Sequence, residues 1–245
     1  AQSGLSIAEL LNFVVPKGWF IPVTPGTKYV TLGGALASNI HGKNHHLEGC
    51  IGDHVLSFSL HTASGEILNC SASENAKYFK ASMGGMGLLG HVSEISLQLK
   101  RIDNAFIRQK VMKAGDLESL YQLFEETKDY TYSVAWIDTL APGKNRGRSV
   151  LLLGEHASSA QLDSKQLINP FKENKKPLLN MPIDLPSGLL NRLTVGAFNK
   201  VYYTKAIDDS ENTVFYEPYF YPLDAIDNWN RMYGQKGFTP YQFVL

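Results

Sequence analysis

The chain has 245 residues, 44% of them hydrophobic, which is enough to build a sizeable core in one large domain or two small ones. Lys plus Arg and Asp plus Glu balance at 23 each, so bulk charge selects neither nucleic acid nor an anionic membrane as partner. No apolar run approaches the roughly 18 residues of a membrane span, no charged-then-apolar leader opens the chain, and Cys50 and Cys70 are too few for a disulfide scaffold.

In chain order, Ile7, Leu10, Leu11 and Val14 recur at helical spacing and predict a short helix over 5–15. A short strand follows at "WFIPVTPG", broken by Pro22 and Pro25. "VLSFSLHTASGEILNCS" reads as a hairpin, with Leu56, Phe58 and Leu60 alternating against Ser57, Ser59 and His61 and a turn at Ser64-Gly65. The next helix, "SENAKYFKASMG", has Ser73 as its expected N-cap, and the glycines after Met83 end it. "HVSEISLQLKRI" alternates as a half-buried strand.

A second region starts near Asn104: a strand at "AFIRQKVMKAG", a helix at "DLESLYQLFEET" capped by Asp116, and antiparallel strands at "YTYSVAWIDTL" and "GRSVLLLGEH". Residues 157–190 read as irregular and proline-bearing, either a mobile lid or a plain loop. The cluster Tyr202, Tyr203, Phe215, Tyr216, Tyr219, Phe220 and Tyr221 is expected to serve the core more than a pocket. The fold class expected is α+β, with units at about 1–102 and 103–245. The chain opens on a helix and stops at "GFTPYQFVL", inside an expected strand, so it reads as an internal piece of a longer protein.

The stretch Thr24 to His46 carries the chemistry. Gly33 and Gly34 leave backbone bare, and Ala35, Ala37 and Ser38 keep the following turn thin. Backbone N–H groups at such a helix start bind a phosphate or the edge of a flat ring; a tight packing turn has the same pattern, and both readings stand on the residues alone. His41, His45, Cys50 and His54 invite a zinc reading, but Gly42, Gly49 and Gly52 break any helix that would align them and no C-x-x-C pair supports it, so no metal is expected.

"PGTKYVTLGGALASNIHGKNHHLEGCIGDHV" resembles the flavin-binding core of the vanillyl-alcohol-oxidase type of FAD oxidoreductases, within it the members acting on polyprenyl-phosphoryl ribose. The likeness continues through "TASGEI", "GGMGLLG", "YTYSVAWID", "LPSGLLNRLT", "YPLDAIDNWNRMYG" and "GFTPYQFV". It implies part of a PCMH-type FAD-binding domain, its first lobe lying before Ala1, then part of an α+β substrate domain with an antiparallel sheet. The resemblance places Gly26, Thr27, Thr31, Leu32, Gly33, Gly34, Ser38, Asn39, Ile40 and His41 along FAD, and Gly87, Gly90 and Val92 near its adenosine part. His41, Gly42 and Lys43 would border the substrate cavity. Tyr202 stands for a pocket tryptophan, Phe220 for a pocket tyrosine and Gln242 for a pocket glutamine, while Pro240 replaces a second glutamine. A further active-site lysine and a pocket cysteine would follow Leu245; neither Cys50 nor Cys70 matches that cysteine.

The chemistry implied is hydride transfer from an alcohol carbon to flavin N5, with His41 relaying or orienting the hydroxyl proton and Lys43 contacting a polar substrate group. Three readings follow: oxidation of the 2′-hydroxyl of a polyprenyl-phosphoryl ribose, oxidation of a soluble sugar or aldonolactone, and a non-enzymatic binding module. The first implies a partner, an NAD(P)-dependent short-chain reductase that reduces the keto product. With no targeting signal in this chain, the compartment expected is the cytoplasm or the periphery of the cell envelope.

Overall fold

Helix α1 (Ile7–Val14) begins at a reciprocal cap: Ser6 Oγ accepts from the N–H of Glu9 at 3.2 Å, and the Glu9 carboxylate accepts from the N–H of Ser6 at 2.9 Å. Its Ile7, Leu10, Leu11 and Val14 are buried, as their spacing predicts. The computed structural model describes residues 1–172, 179–186 and 188–239. The expected strand at "GFTPYQFVL" runs into residues 240–245, outside the described residues.

β1 (Trp19–Phe20) is short, as the prolines after it require. α2 (Leu32–Ala37) and α3 (His45–Glu48) carry the glycine and histidine segments. β2 (Val55–His61) and β3 (Ile67–Ser71) form the expected hairpin. Its alternation is corrected at one end: Val55 is buried and Leu56 is 54% exposed, because the register against β4 (His91–Leu97) shifts between Val55 and Ser57 and turns the residue over. The order of this sheet is β3-β2-β4, all antiparallel.

α4 (Ala76–Ser82) lies between β3 and β4, and its N-cap is Asn75 at φ +49°, not Ser73. Ser73 is held one turn earlier, where its N–H and that of Glu74 both donate to Ser71 Oγ. β5 (Lys100–Arg101) pairs antiparallel with β1.

The second sheet runs β10-β6-β8-β7, antiparallel throughout: β6 (Phe106–Ala114), β7 (Tyr132–Ile137), β8 (Ser149–His156) and β10 (Ser210–Phe215). α5 (Leu117–Glu126), capped by Asp116 as expected, packs Leu120 against Ala114, Leu151 and Leu153 on one face of that sheet. Among its described residues the segment 157–190 is less irregular than its sequence suggests. α6 (Ser164–Ile168) follows a cap at Asp163, the carbonyl of Pro170 accepts from the N–H of Ala105, and β9 (Leu179–Asn180) pairs in parallel with β11 (Ile226–Asp227). α7 (Arg192–Lys205) and α8 (Tyr216–Phe220) complete the chain's helices among the described residues.

The strand sets divide near Ile102, but one apolar core crosses that division. It joins Ile7, Leu11, Phe20 and Leu36 to Ile107, Tyr132, Tyr219 and Phe220. Phe20, Tyr132, Tyr219 and Phe220 meet at ring-centroid distances of 4.9–6.4 Å, mostly edge to face. Each such buried ring contributes roughly 1.5–3 kcal/mol. The histidine segment is tied to the second sheet by the carbonyl of Lys43, which accepts from the N–H of Ser133 at 2.8 Å.

Candidate functional site

Thr31 sets the first glycine segment. Its backbone is extended and its Oγ1 accepts from the N–H of Gly34 at 3.1 Å, which starts α2. The neighbouring N–H groups are engaged as well: Leu32 donates to the carbonyl of Leu5 at 2.9 Å and Gly33 to that of Ser3 at 2.8 Å. The expectation that this helix start offers bare N–H groups to a phosphate is therefore corrected, because residues 3–5 already occupy them. Gly33 is small for the same reason, since a Cβ there would lie 3.0 Å from the Cβ of Ser3.

The second glycine loop is tied to the far end of α2. Gly84 donates to the carbonyl of Leu36 at 3.1 Å and Met86 to that of Ala37 at 2.9 Å. Gly90 sits at φ +147°, with room for no side chain: a Cβ would fall 2.2 Å from the carbonyl oxygen of His61. Gly87 sits at φ +73° beside open space.

These bonds enclose a cavity of about 310 Å³, walled by Thr31, Gly33 and Gly34 on one side and Gly87, Gly90 and Val92 on the other. Six of the residues singled out from sequence thus meet at one place. Ser82, which sequence reasoning missed, also lines it. Its hydroxyl is buried with no hydrogen-bond partner. A hydroxyl left so costs stability unless something else bonds it. A wall of bare backbone with one orphan hydroxyl fits a flat ring system with polar edges. The only sequence signal for Ser82 was its place at the end of α4, just ahead of the glycines.

The other candidate cofactor residues lie elsewhere. Gly26 and Thr27 form a turn held by Asp224: Thr27 Oγ1 donates to its carboxylate at 2.8 Å and the N–H of Lys28 at 2.9 Å. Leu32 is buried in the core at 2% exposure. Ser38 closes α2 by donating its N–H to the carbonyl of Gly34. Asn39, at φ +42°, accepts from the N–H of Gly52 at 3.0 Å, and Ile40 accepts from the N–H of Ile51 at 2.9 Å.

His41 pairs with Cys50 in an isolated antiparallel bridge, and its ring meets that of His45 edge-on at 5.6 Å. Gly42 admits no side chain, because a Cβ would lie 2.8 Å from the carbonyl oxygen of Thr24. Among the described residues no three His, Cys, Asp or Glu side chains converge as a metal site. Lys43 turns inward. Its Nζ donates to the carbonyl of Phe220 at 3.0 Å and lies 5.9–6.0 Å from the ring centres of Phe220 and Tyr219. Among the described residues no carboxylate reaches it within ion-pair distance. Burial pushes its pKa down to about 8.

Tyr202, on α7, meets the ring of Trp136 of β7 at a tilt at 4.7 Å and stacks on Phe198 at 6.0 Å. Phe220 is only 1% exposed, so its ring belongs to the core and only its carbonyl reaches Lys43. Gln242 and Pro240 lie outside the described residues.

The model of an FAD-binding domain matches residues 1–71, which hold α1, α2 and the β2–β3 hairpin. Over its whole length the chain is 34% identical to decaprenylphosphoryl-beta-D-ribose oxidase of Mycolicibacterium smegmatis. Residues 1–71 belong to the FAD-binding domain family, and the chain as a whole is similar to an FAD-dependent oxidoreductase. It is also 35% identical, over 78% of its length, to an uncharacterised protein of Streptomyces coelicolor. L-gulonolactone oxidase of Bos taurus is 32% identical over 40% of the chain and 22% of that oxidase. The chain spans about half the length of the first two relatives, 54% and 51%. The match to an FAD-binding domain implies FAD as the ligand class.

Proposed function

We propose that the chain is the central part of an FAD-dependent oxidoreductase that oxidises a sugar hydroxyl, the 2′-hydroxyl of a polyprenyl-phosphoryl ribose first among candidates. The observation that carries the reading is the meeting of both glycine loops around one cavity with an unpartnered Ser82 hydroxyl. The full-length similarity to a decaprenylphosphoryl-ribose oxidase supports the substrate class. Bound FAD supplies the hydride acceptor.

This chain's residues then have separate tasks. Thr31, Gly33 and Gly34 with Gly87, Gly90 and Val92 hold one part of the cofactor, and Ser82 bonds a polar edge of it. Ser38, Asn39 and Ile40 shape the backbone that continues from this wall toward His41, and the Gly26–Thr27 turn, held by Asp224, leads into the wall. Lys43, buried against the Phe220 carbonyl, is cationic below pH 8 and contacts a polar group of the substrate. His41 relays or orients the hydroxyl proton. The aromatic wall is Tyr202 backed by Trp136, with Gln242 as a polar contact. Residues 1–102 form a lobe of the FAD-binding domain, with His41 and Lys43 at its substrate edge, and 103–245 belong to the substrate domain. The keto product calls for a nicotinamide-dependent reductase to consume it.

A second reading, oxidation of a soluble sugar or aldonolactone, is supported by the similarity to L-gulonolactone oxidase in the flavin-binding part. The test is the visible spectrum of the full-length protein, followed anaerobically. Bleaching of a flavin band by polyprenyl-phosphoryl ribose supports the first reading, and bleaching by an aldonolactone alone supports the second. A protein that takes up no FAD overturns both and leaves a binding module.

A further inference from the structure

Helix α7 turns polar groups inward and apolar side chains outward. Its inward face is anchored by polar groups: Asn199, 6% exposed, donates to the buried carboxylate of Asp138 at 2.7 Å, and the Tyr203 hydroxyl donates to the carbonyl of Ala114 at 3.2 Å. Its outward face carries the apolar residues instead. Leu193 is 83% exposed, Phe198 60% and Val201 51%, and Leu189 and Leu190 just before the helix are also exposed. Leu193, Ala197 and Val201 repeat every four residues, so they form one stripe along the helix. A continuous apolar stripe turned outward on a helix that buries an asparagine marks a surface built to be covered.

Charge says what covers it. No Asp or Glu lies between Asp184 and Asp208, while Arg192, Lys200 and Lys205 do, in a chain whose acids and bases are equal overall. At 100° per residue, Lys200 and Lys205 fall on opposite flanks of the stripe. Apolar centre and cationic flanks are the chemistry of a helix lying flat in an anionic bilayer interface. Among the described residues no helix is long and apolar enough to cross a membrane, so the contact would be peripheral.

We infer that the outward face of α7, centred on Leu193 and Val201, docks the protein on an anionic lipid surface. The lipid-linked substrate proposed above supplies a purpose for this contact, and the inference rests on that reading only for its purpose. Tyr202 of the same helix reaches Trp136 on the opposite flank, so docking would set the aromatic wall beside the bilayer.

The experiment is flotation of the full-length, FAD-loaded protein with vesicles of phosphatidylcholine, with and without phosphatidylglycerol. The assay contains no sugar, so its failure leaves the substrate reading intact. Expected is flotation with the anionic vesicles only, weakened by salt. Neutralising one lysine should weaken partitioning roughly fivefold, and Lys200→Glu/Lys205→Glu should abolish it. Leu193→Asp/Val201→Asp should also remain in the soluble fraction, with flavin content and elution volume unchanged. Wild type that stays off both vesicles overturns the inference. So does a Leu193→Asp/Val201→Asp protein that floats as wild type does. If that double variant loses flavin or unfolds, the stripe is covered by the protein's own chain; if it changes elution volume, a second copy covers it. Either result overturns lipid docking.

Discussion

The carboxylate of Asp224 accepts from the Thr27 hydroxyl at 2.8 Å across 197 positions of chain, and from the Lys28 N–H at 2.9 Å. Asp224 is 9% exposed, and its neighbour Tyr221 bonds Thr24 at 2.6 Å in the same clasp. The turn of the second unit thus holds the Gly26–Thr27 turn of the first. Asp224→Ala leaves two donors without their acceptor and should cost about 2–4 kcal/mol. The full-length variant should unfold at lower temperature and release FAD more readily, whereas Asp224→Asn, which keeps an accepting oxygen, should fall between. Thermal unfolding with and without added FAD measures both.

Gly87 and Gly90 separate two uses of glycine in one loop. At Gly90 a methyl would enter the His61 carbonyl, and the positive φ adds strain, so Gly90→Ala should cost about 3 kcal/mol and reduce bound flavin. At Gly87 the space is open and only φ opposes a side chain, so Gly87→Ala should cost about 1–2 kcal/mol. Denaturant midpoints of the two variants, taken together, check the ranking.

Much of this architecture was legible in the sequence. The 3.6-residue spacing of Ile7 to Val14, the cap at Asp116 and the hairpin turn at Ser64-Gly65 are local signals, and each element formed where they lie. Long-range contacts overrode the local patterns elsewhere. Leu56 faces solvent because of a register shift against a strand more than thirty residues later, and Ser73 loses the N-cap to Asn75, whose side chain donates to the carbonyl of Asn69. The bare N–H groups expected at Gly33 are taken by Ser3, a pairing that no spacing encodes. Ser82 carried no motif at all, and its meaning comes from burial without a partner.

Phe220 stands where a family resemblance expects a pocket tyrosine, yet its ring is enclosed by Phe20, Tyr132 and Tyr219. Phe220→Tyr should therefore not restore a substrate contact. The added hydroxyl would be buried in an aromatic core and should cost about 1–3 kcal/mol. Substrate preference, measured as the ratio of kcat/KM values for a lipid-linked and a free sugar, should stay at the wild-type value while thermal stability falls.

Lys43 gives the pH dependence its sign. Burial lowers its pKa to about 8, against about 10.4 for an unfolded lysine. Below pH 8 both states hold the proton, and the fold carries the full cost of a buried ammonium. Between pH 8 and about 10.4 the folded chain has released a proton that the unfolded chain keeps, so this group adds stability as pH rises through that window. Lys43→Met should lose that rise, which thermal midpoints across the window would reveal. Activity should move the other way. If the ammonium contacts the substrate, KM should increase as pH passes 8 in the wild type. Lys43→Arg stays cationic and should hold KM flat over the same range. A wild-type KM that does not change across pH 8 would remove Lys43 from substrate binding and leave it as a buried tie between the histidine segment and the Phe220 carbonyl.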